Sequence, residues 1–115
     1  MITLSSGSLS VGVKPLGAEL ASLKDAAGRE LLWQAGPEWP RHAPLLFPII
    51  GRLRQDTAWI SGTAYPMGQH GFARDNDFAL VEQDAGSCRM LLTDSEATRA
   101  IYPFAFRLEV IHAVQ

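Results

Sequence analysis

A chain of 115 residues with 47% apolar and 19% charged side chains has the size of one domain, enough side chain for a core and too little charge for disorder. Ten basic against twelve acidic residues leave a formal net charge of -2 without a run of either sign, which argues against nucleic acid and against a polybasic membrane patch as partners. Cys88 is the sole cysteine, which excludes an intrachain disulfide and a cysteine-rich zinc site.

In chain order, Leu9, Val11 and Val13 alternate with Ser8, Ser10 and Gly12, the period of a half-buried strand. Ala18 to Lys24 and Glu30 to Gln34 flank Asp25-Ala26-Ala27-Gly28 and read as a hairpin. Pro37, Pro40, Pro44 and Pro48 then exclude a helix interior or a central strand, so this stretch is a long ordered loop. Two further hairpins follow. Thr57 to Ile60 and Thr63 to Met67 flank Ser61-Gly62, and Phe78 to Gln83 and Ser87 to Thr93 flank Asp84-Ala85-Gly86.

Asp94 to Ile101 has room for one or two helical turns, with Thr93 and Glu96 at capping-box spacing and Pro103 closing it. The clearest strand comes last. From Phe104 to Val114 the residues Phe104, Phe106, Leu108, Val110, His112 and Val114 share one face, and the expectation is that Phe106, Leu108 and Val110 are buried. The whole is an all-β chain of antiparallel β-sandwich type. No stretch reaches the roughly 18 apolar residues that span a bilayer, and the N-terminus lacks the basic and apolar regions of a secretory signal. The expectation is a soluble, cytoplasmic protein.

The chemically interesting side chains cluster in one third of the chain: Arg52 after the proline-rich loop, and His70 and Arg74 after the second hairpin. Gly51 and Gly71 stand beside them, where the absence of a Cβ lets backbone approach closely. Each side chain has a plainer alternative. Arg52 is at the spacing of an exposed pair with Asp56, His70 suits a turn histidine donating to a backbone carbonyl, and Arg74 is next to Asp75 and near Asp77. His112, in the apolar series of a strand, reads as a core-lining residue, and His42 carries no signal. The histidines lack metal-ligand spacing, so no metal is expected, and phosphate-binding glycine loops and a serine nucleophile elbow are missing. Composition and spacing alone reach a β-sheet domain with an Arg- and His-lined concavity for a polar or anionic small ligand.

The order of four segments carries more. "GAELASLKDAAGRELLW", "PLLFPIIGRLR", "GTAYPMGQHGFARDNDF" and "YPFAFRLEVIHAV" together resemble the aldose 1-epimerase (galactose mutarotase-like) family. Within it, the resemblance is nearest to the branch of sugar-operon mutarotase-like proteins and hexose-6-phosphate epimerases. It runs from about Gly17 to the last residue, and its specific part is the combination of Phe47-Pro48, Gly51-Arg52 and His70-Gly71-Phe72-Ala73-Arg74. The resemblance implies a galactose mutarotase-like supersandwich of which these 115 residues are a single domain corresponding to the N-terminal two-fifths. Phe78 stands where many relatives carry tryptophan.

The implied reaction interconverts the α and β anomers of a hexose or hexose 6-phosphate by acid-base ring opening, without a cofactor. Arg52 and His70 match the family's sugar-binding arginine and first histidine, His70 being the residue of catalytic rank, and Arg74 matches a plausible phosphate contact. The family's second histidine and its glutamate, the general acid and base, have no counterpart here. That leaves a carbohydrate-binding module or an inactive remnant without turnover as the alternatives. A partial sandwich also exposes strand edges, so self-association that covers them is expected, with a small-molecule sugar or sugar phosphate as the other partner.

Overall fold

The computed structural model describes residues 1–115 as antiparallel β-structure in three meanders. Strands β1 (Ile2–Ser6), β2 (Leu9–Lys14) and β3 (Glu19–Lys24) form the first, in the order β1-β2-β3. Strands β4 (Thr57–Ile60) and β5 (Thr63–Pro66) form a two-stranded hairpin. Strands β6 (Ala79–Gln83), β7 (Ser87–Thr93) and β8 (Arg107–Ala113) form the third, in the order β6-β7-β8. The one α-helical turn, α1 (Glu96–Arg99), sits between β7 and β8.

Alternation explains how the two three-stranded sheets share a core. Leu4 of β1 with Val11 and Val13 of β2 from the first sheet, and Cys88, Met90 and Leu92 of β7 from the third, belong to one buried cluster with Met67, Phe72 and Phe78. In the third sheet the register sets Cys88 against His112, Met90 against Val110 and Leu92 against Leu108, so the inward rows of β7 and β8 coincide. Burial pushes the Cys88 thiol pKa up, which suits a small apolar filler.

Four sequence expectations need amendment. Strand β1 was not anticipated, because Ile2 and Leu4 alone make too short an alternation. Glu30 to Gln34 does not form a strand. Only Glu30 bridges Lys24, and its carboxylate accepts from the Ser22 hydroxyl (2.6 Å) and from the Leu23 (2.8 Å) and Leu32 (3.2 Å) amides. That side chain takes over hydrogen bonds a ladder would have used and turns the chain away; the same bonds, led by Ser22, hold its pKa below the usual carboxylate value. The helical turn is capped by Ser95 with Thr98, not by Thr93 with Glu96: the Thr98 amide donates to the Ser95 hydroxyl (3.1 Å) and the Ser95 amide to the Thr98 hydroxyl (2.8 Å).

The fourth amendment concerns the last strand. It is ordered into the ladder only from Arg107, while Phe104 lies outside it and is 44% exposed. The two-face alternation is as expected, but Phe106, Leu108 and Val110 are half-buried. The reason is shape. The molecule is a slab of 54 × 33 × 18 Å with a radius of gyration of 16.2 Å, against roughly 13 Å for a compact chain near this size. Every residue of β6 is exposed, and Ile50, Trp59 and Ile111 are 82%, 73% and 61% exposed.

The proline-rich loop returns to the site through a parallel bridge between Phe47 and Gly71, next to the cis Phe47-Pro48 peptide. Gly71 has a φ of 73°, and a Cβ there would lie 2.2 Å from the Phe47 carbonyl oxygen, a contact that backbone cannot relieve by a small shift.

Two outcomes follow. Gly71→Ala should lower stability by about 3 kcal/mol or more, the scale of a backbone clash added to a strained φ, read from the denaturant midpoint; an unchanged midpoint would contradict the close approach. The open strand edges and apolar faces should drive association, so light scattering at roughly tens of micromolar should report a species larger than one chain, and a well-folded monomer would count against that expectation.

Candidate functional site

The polar constellation is built on two chain segments clasped by backbone. The Phe47 carbonyl accepts from the Phe72 (2.9 Å) and Ala73 (3.1 Å) amides. Four residues on, Gly51 and His70 bond each other twice: the His70 amide donates to the Gly51 carbonyl (2.8 Å), and the Gly51 amide donates to His70 Nδ1 (2.8 Å). Gly51 has a φ of 90° and His70 a φ of 65°. A non-glycine residue in that region is strained by about 1–3 kcal/mol, so it persists only where surrounding bonds hold it.

The second bond fixes the chemistry of the ring. Because Nδ1 accepts an amide proton, the imidazole proton resides on Nε2, and His70 offers an N–H donor away from Gly51 while neutral. The turn-histidine alternative is therefore half right. His70 does serve the turn, but as an acceptor from an amide and not as a donor to a carbonyl.

Arg52 follows Gly51 directly, and its side chain pairs with Asp56 in the two-pronged manner that the spacing suggested: Nε to Oδ1 at 2.9 Å and Nη2 to Oδ2 at 3.2 Å. This pair lies over a short 3-10 turn, Arg54–Asp56. The Asp56 hydrogen bonds hold the Arg52 pKa above its ordinary value, so the group is a permanent cation, and its side chain is 67% exposed. Both plain and functional readings of Arg52 thus describe the same residue: Asp56 orients the guanidinium, and its remaining edge faces outward.

Arg74 pairs with neither Asp75 nor Asp77. Its Nη2 donates to the Gln69 carbonyl (3.0 Å), reaching back across the turn to the residue before His70, while its Nε is buried without a partner. An orphaned N–H of that kind costs roughly 1–3 kcal/mol unless water or a ligand meets it. Asp75 is taken instead by Arg41 of the proline-rich loop (3.1 Å). Gly51, the residue before Arg52, is thus tied to His70, and Arg74 braces the chain behind His70.

An aromatic cluster stands beneath the clasp. Phe47, Phe72, Tyr102 and Phe106 pack with ring centroids 5.4 to 6.1 Å apart, edge-on or tilted. Adjacent to it, an apolar hollow of about 440 Å³ is lined chiefly by Pro48, Ile49, Leu53, Trp59, Tyr102 and Phe104. Arg52, His70 and Arg74 do not line it, so this hollow is not the Arg- and His-lined concavity expected from sequence.

His112 is a half-buried core-side residue, as its place in the apolar series predicts, with Nε2–H donating to the Ala18 carbonyl (2.8 Å). His42 is more than sequence suggested: its Nδ1 lies 3.1 Å from Oε1 of Glu19, a carboxylate only 3% exposed. No cluster of three or more His, Cys, Asp or Glu side chains has the geometry of a metal site, and no helix is long and apolar enough to cross a membrane.

Comparison with known proteins places this geometry. The chain is 37% identical over 119 residues to Protein LacX of Lactococcus lactis subsp. lactis, matching 98% of its own length and 40% of that protein. It superposes with a TM-score of 0.97, at 43% identity, on a galactose mutarotase related enzyme from Lactobacillus acidophilus, covering 99% of this chain and 39% of that one. A galactose mutarotase-like protein from Lactobacillus casei ATCC 334 gives a TM-score of 0.96 at 36% identity, covering 100% of this chain and 40% of that one. The chain thus spans about 40% of the length of the relatives it matches. The family model for aldose 1-epimerase matches residues 1–115 throughout, and the chain belongs to the aldose 1-epimerase family.

Proposed function

We propose that these residues form the sugar-binding ledge of a mutarotase that interconverts the α and β anomers of a hexose or hexose 6-phosphate. The observation that carries this reading is the doubly bonded Gly51–His70 pair, which leaves the His70 Nε2–H free as a donor, with Arg52, the residue after Gly51, held by Asp56. In ring opening a base takes the proton of the C1 hydroxyl while an acid protonates the ring oxygen, and rotation about C1–C2 before reclosure gives the other anomer. His70 Nε2–H and the outward edge of Arg52 bind and orient sugar oxygens, where hydrogen bonds and charge act before the proton moves. The apolar hollow beside them suits the less polar face of a pyranose.

Arg74 is assigned to a phosphate. Its guanidinium is a permanent cation with a buried Nε–H that has no partner in the chain, and an anionic oxygen satisfies such a group. A second reading rests on the same three residues. Two of them are arginines, which do not exchange protons in a working pH range, so the ledge by itself binds without turnover. On this reading the chain is a carbohydrate-binding module, and the acid and base belong to the part of the family's length that these residues do not match.

The test is a chimera in which residues 1–115 replace the matched 39% of the Lactobacillus acidophilus enzyme, assayed by polarimetry with D-galactose and D-glucose. His70→Ala in that chimera should lower kcat/KM by about 1–3 kcal/mol of transition-state stabilisation, roughly five- to 150-fold. The 115-residue chain alone should bind sugar without accelerating mutarotation above buffer. Full activity in His70→Ala would remove the site.

Arg74→Ala should weaken D-glucose 6-phosphate by about tenfold or more and D-glucose by little, since a charged hydrogen bond contributes about 1.5–3 kcal/mol. Equal losses for both sugars, measured by titration calorimetry, would remove the phosphate assignment.

A further inference from the structure

We infer that Glu19 is a positioning residue for the site proposed above, its buried carboxylate fixing the proline-rich loop that delivers Phe47 and Gly51 to the His70 segment. Glu19 opens β3, is 3% exposed, and receives the His42 amide (2.7 Å) and His42 Nδ1 (3.1 Å) on Oε1. A carboxylate only accepts, so Nδ1 carries the ring proton in this contact. Lys14 Nζ stands 4.0 Å from the same oxygen, at the edge of ordinary ion pairing.

Burying a carboxylate is costly, and an apolar residue of similar size would serve packing better. What an apolar residue does not supply is an acceptor, and this loop is short of ways to be tied down. Pro40 and Pro44 have no amide, so the donors between them are those of Arg41, His42 and Ala43. Glu19 takes the middle one, Leu20 forms a bridge with Ala43, and Arg41 reaches Asp75 beyond the site.

The neighbours of Glu19 act at the same junction. The Gly17 amide donates to the Asn76 carbonyl (2.8 Å), and a Cβ on Gly17 would come within 2.8 Å of the Arg74 carbonyl oxygen. The Ala18 carbonyl receives His112 Nε2–H from β8. Gly17-Ala18-Glu19-Leu20 therefore touches, residue by residue, the Arg74 turn, the last strand and the loop that carries Gly51. Four residues separate the anchored His42 from Phe47, whose carbonyl is the first half of the clasp. Glu19 makes no contact with the clasp itself and acts through the loop.

Amide hydrogen exchange followed by NMR on the 115-residue chain tests this without a ligand. Glu19→Ala should speed exchange at Gly51, His70, Phe72 and Ala73 by about tenfold, while Val13 and Met90 in the core ladders change by less than about twofold. Glu19→Gln, which keeps an oxygen acceptor for the His42 amide, should give a smaller acceleration confined to the same four amides. Acceleration at Val13 and Met90 equal to that at Gly51 and His70 would make the residue merely structural, and unchanged exchange at the clasp would sever it from the site. Should Glu19→Ala fail to fold, the contrast between clasp and core in Glu19→Gln decides in the same way.

The inference rests on the sugar reading only for its purpose, and a D-galactose titration of the same samples separates the two. A wild-type chain whose His70 resonances do not respond to galactose overturns the sugar reading and leaves the exchange contrast to judge Glu19. A response that weakens at least about threefold in Glu19→Ala, with the core amides still protected, supports both.

Discussion

Four hydrogen bonds between backbone or ring atoms of two segments distant in sequence hold the candidate site together: two amides on the Phe47 carbonyl, and the reciprocal pair of Gly51 and His70. Each is worth only about 0.5–1.5 kcal/mol net, yet they have geometric consequences that no side-chain packing supplies. They force Gly71 against a carbonyl where no Cβ fits, hold His70 at positive φ, and select the Nε2–H tautomer of its ring. The histidine is thus a structural acceptor on one nitrogen and a free donor on the other, and its two roles are linked through the same ring.

The clasp is rigid because what surrounds it is tied from three sides. The Phe47, Phe72, Tyr102 and Phe106 rings support it from the core side, the Arg41–Asp75 pair spans it, and the Gly17 to Leu20 segment meets both of its halves. Strain at His70 is held by this over-determination, the condition under which unusual backbone persists at binding sites. The hollow lined by Pro48 and Tyr102 is apolar, whereas Arg52 and His70 present polar groups that do not line it.

Away from the clasp the constraint is area. Only 16 of 115 residues are buried, and the slab leaves the whole of β6 and the outer side of β8 open. The half-burial of Phe106, Leu108 and Val110 follows from that open side and not from any failure of their alternation. The chain belongs to the aldose 1-epimerase family and matches about 40% of the length of its relatives.

The sequence determined what period and local chemistry determine. Alternation located β2 and the face of β8, and Gly or Asp at the turns located the hairpins around Ser61-Gly62 and Asp84-Ala85-Gly86, β7 among their strands. The order of Phe47-Pro48, Gly51-Arg52 and His70-Gly71-Phe72-Ala73-Arg74 was enough to mark the family, and it holds both halves of the Gly51–His70 clasp. Tertiary structure decided whatever depends on partners far apart in the chain. Glu30 reads as a strand residue until its carboxylate is seen capturing the amides of Leu23 and Leu32. Arg74 reads as a partner of a neighbouring aspartate until the turn aims it at the Gln69 carbonyl. His42 and Glu19, 23 residues apart, give no signal in a sequence window, because a buried hydrogen bond is a property of two positions brought together and period reports on only one stretch at a time.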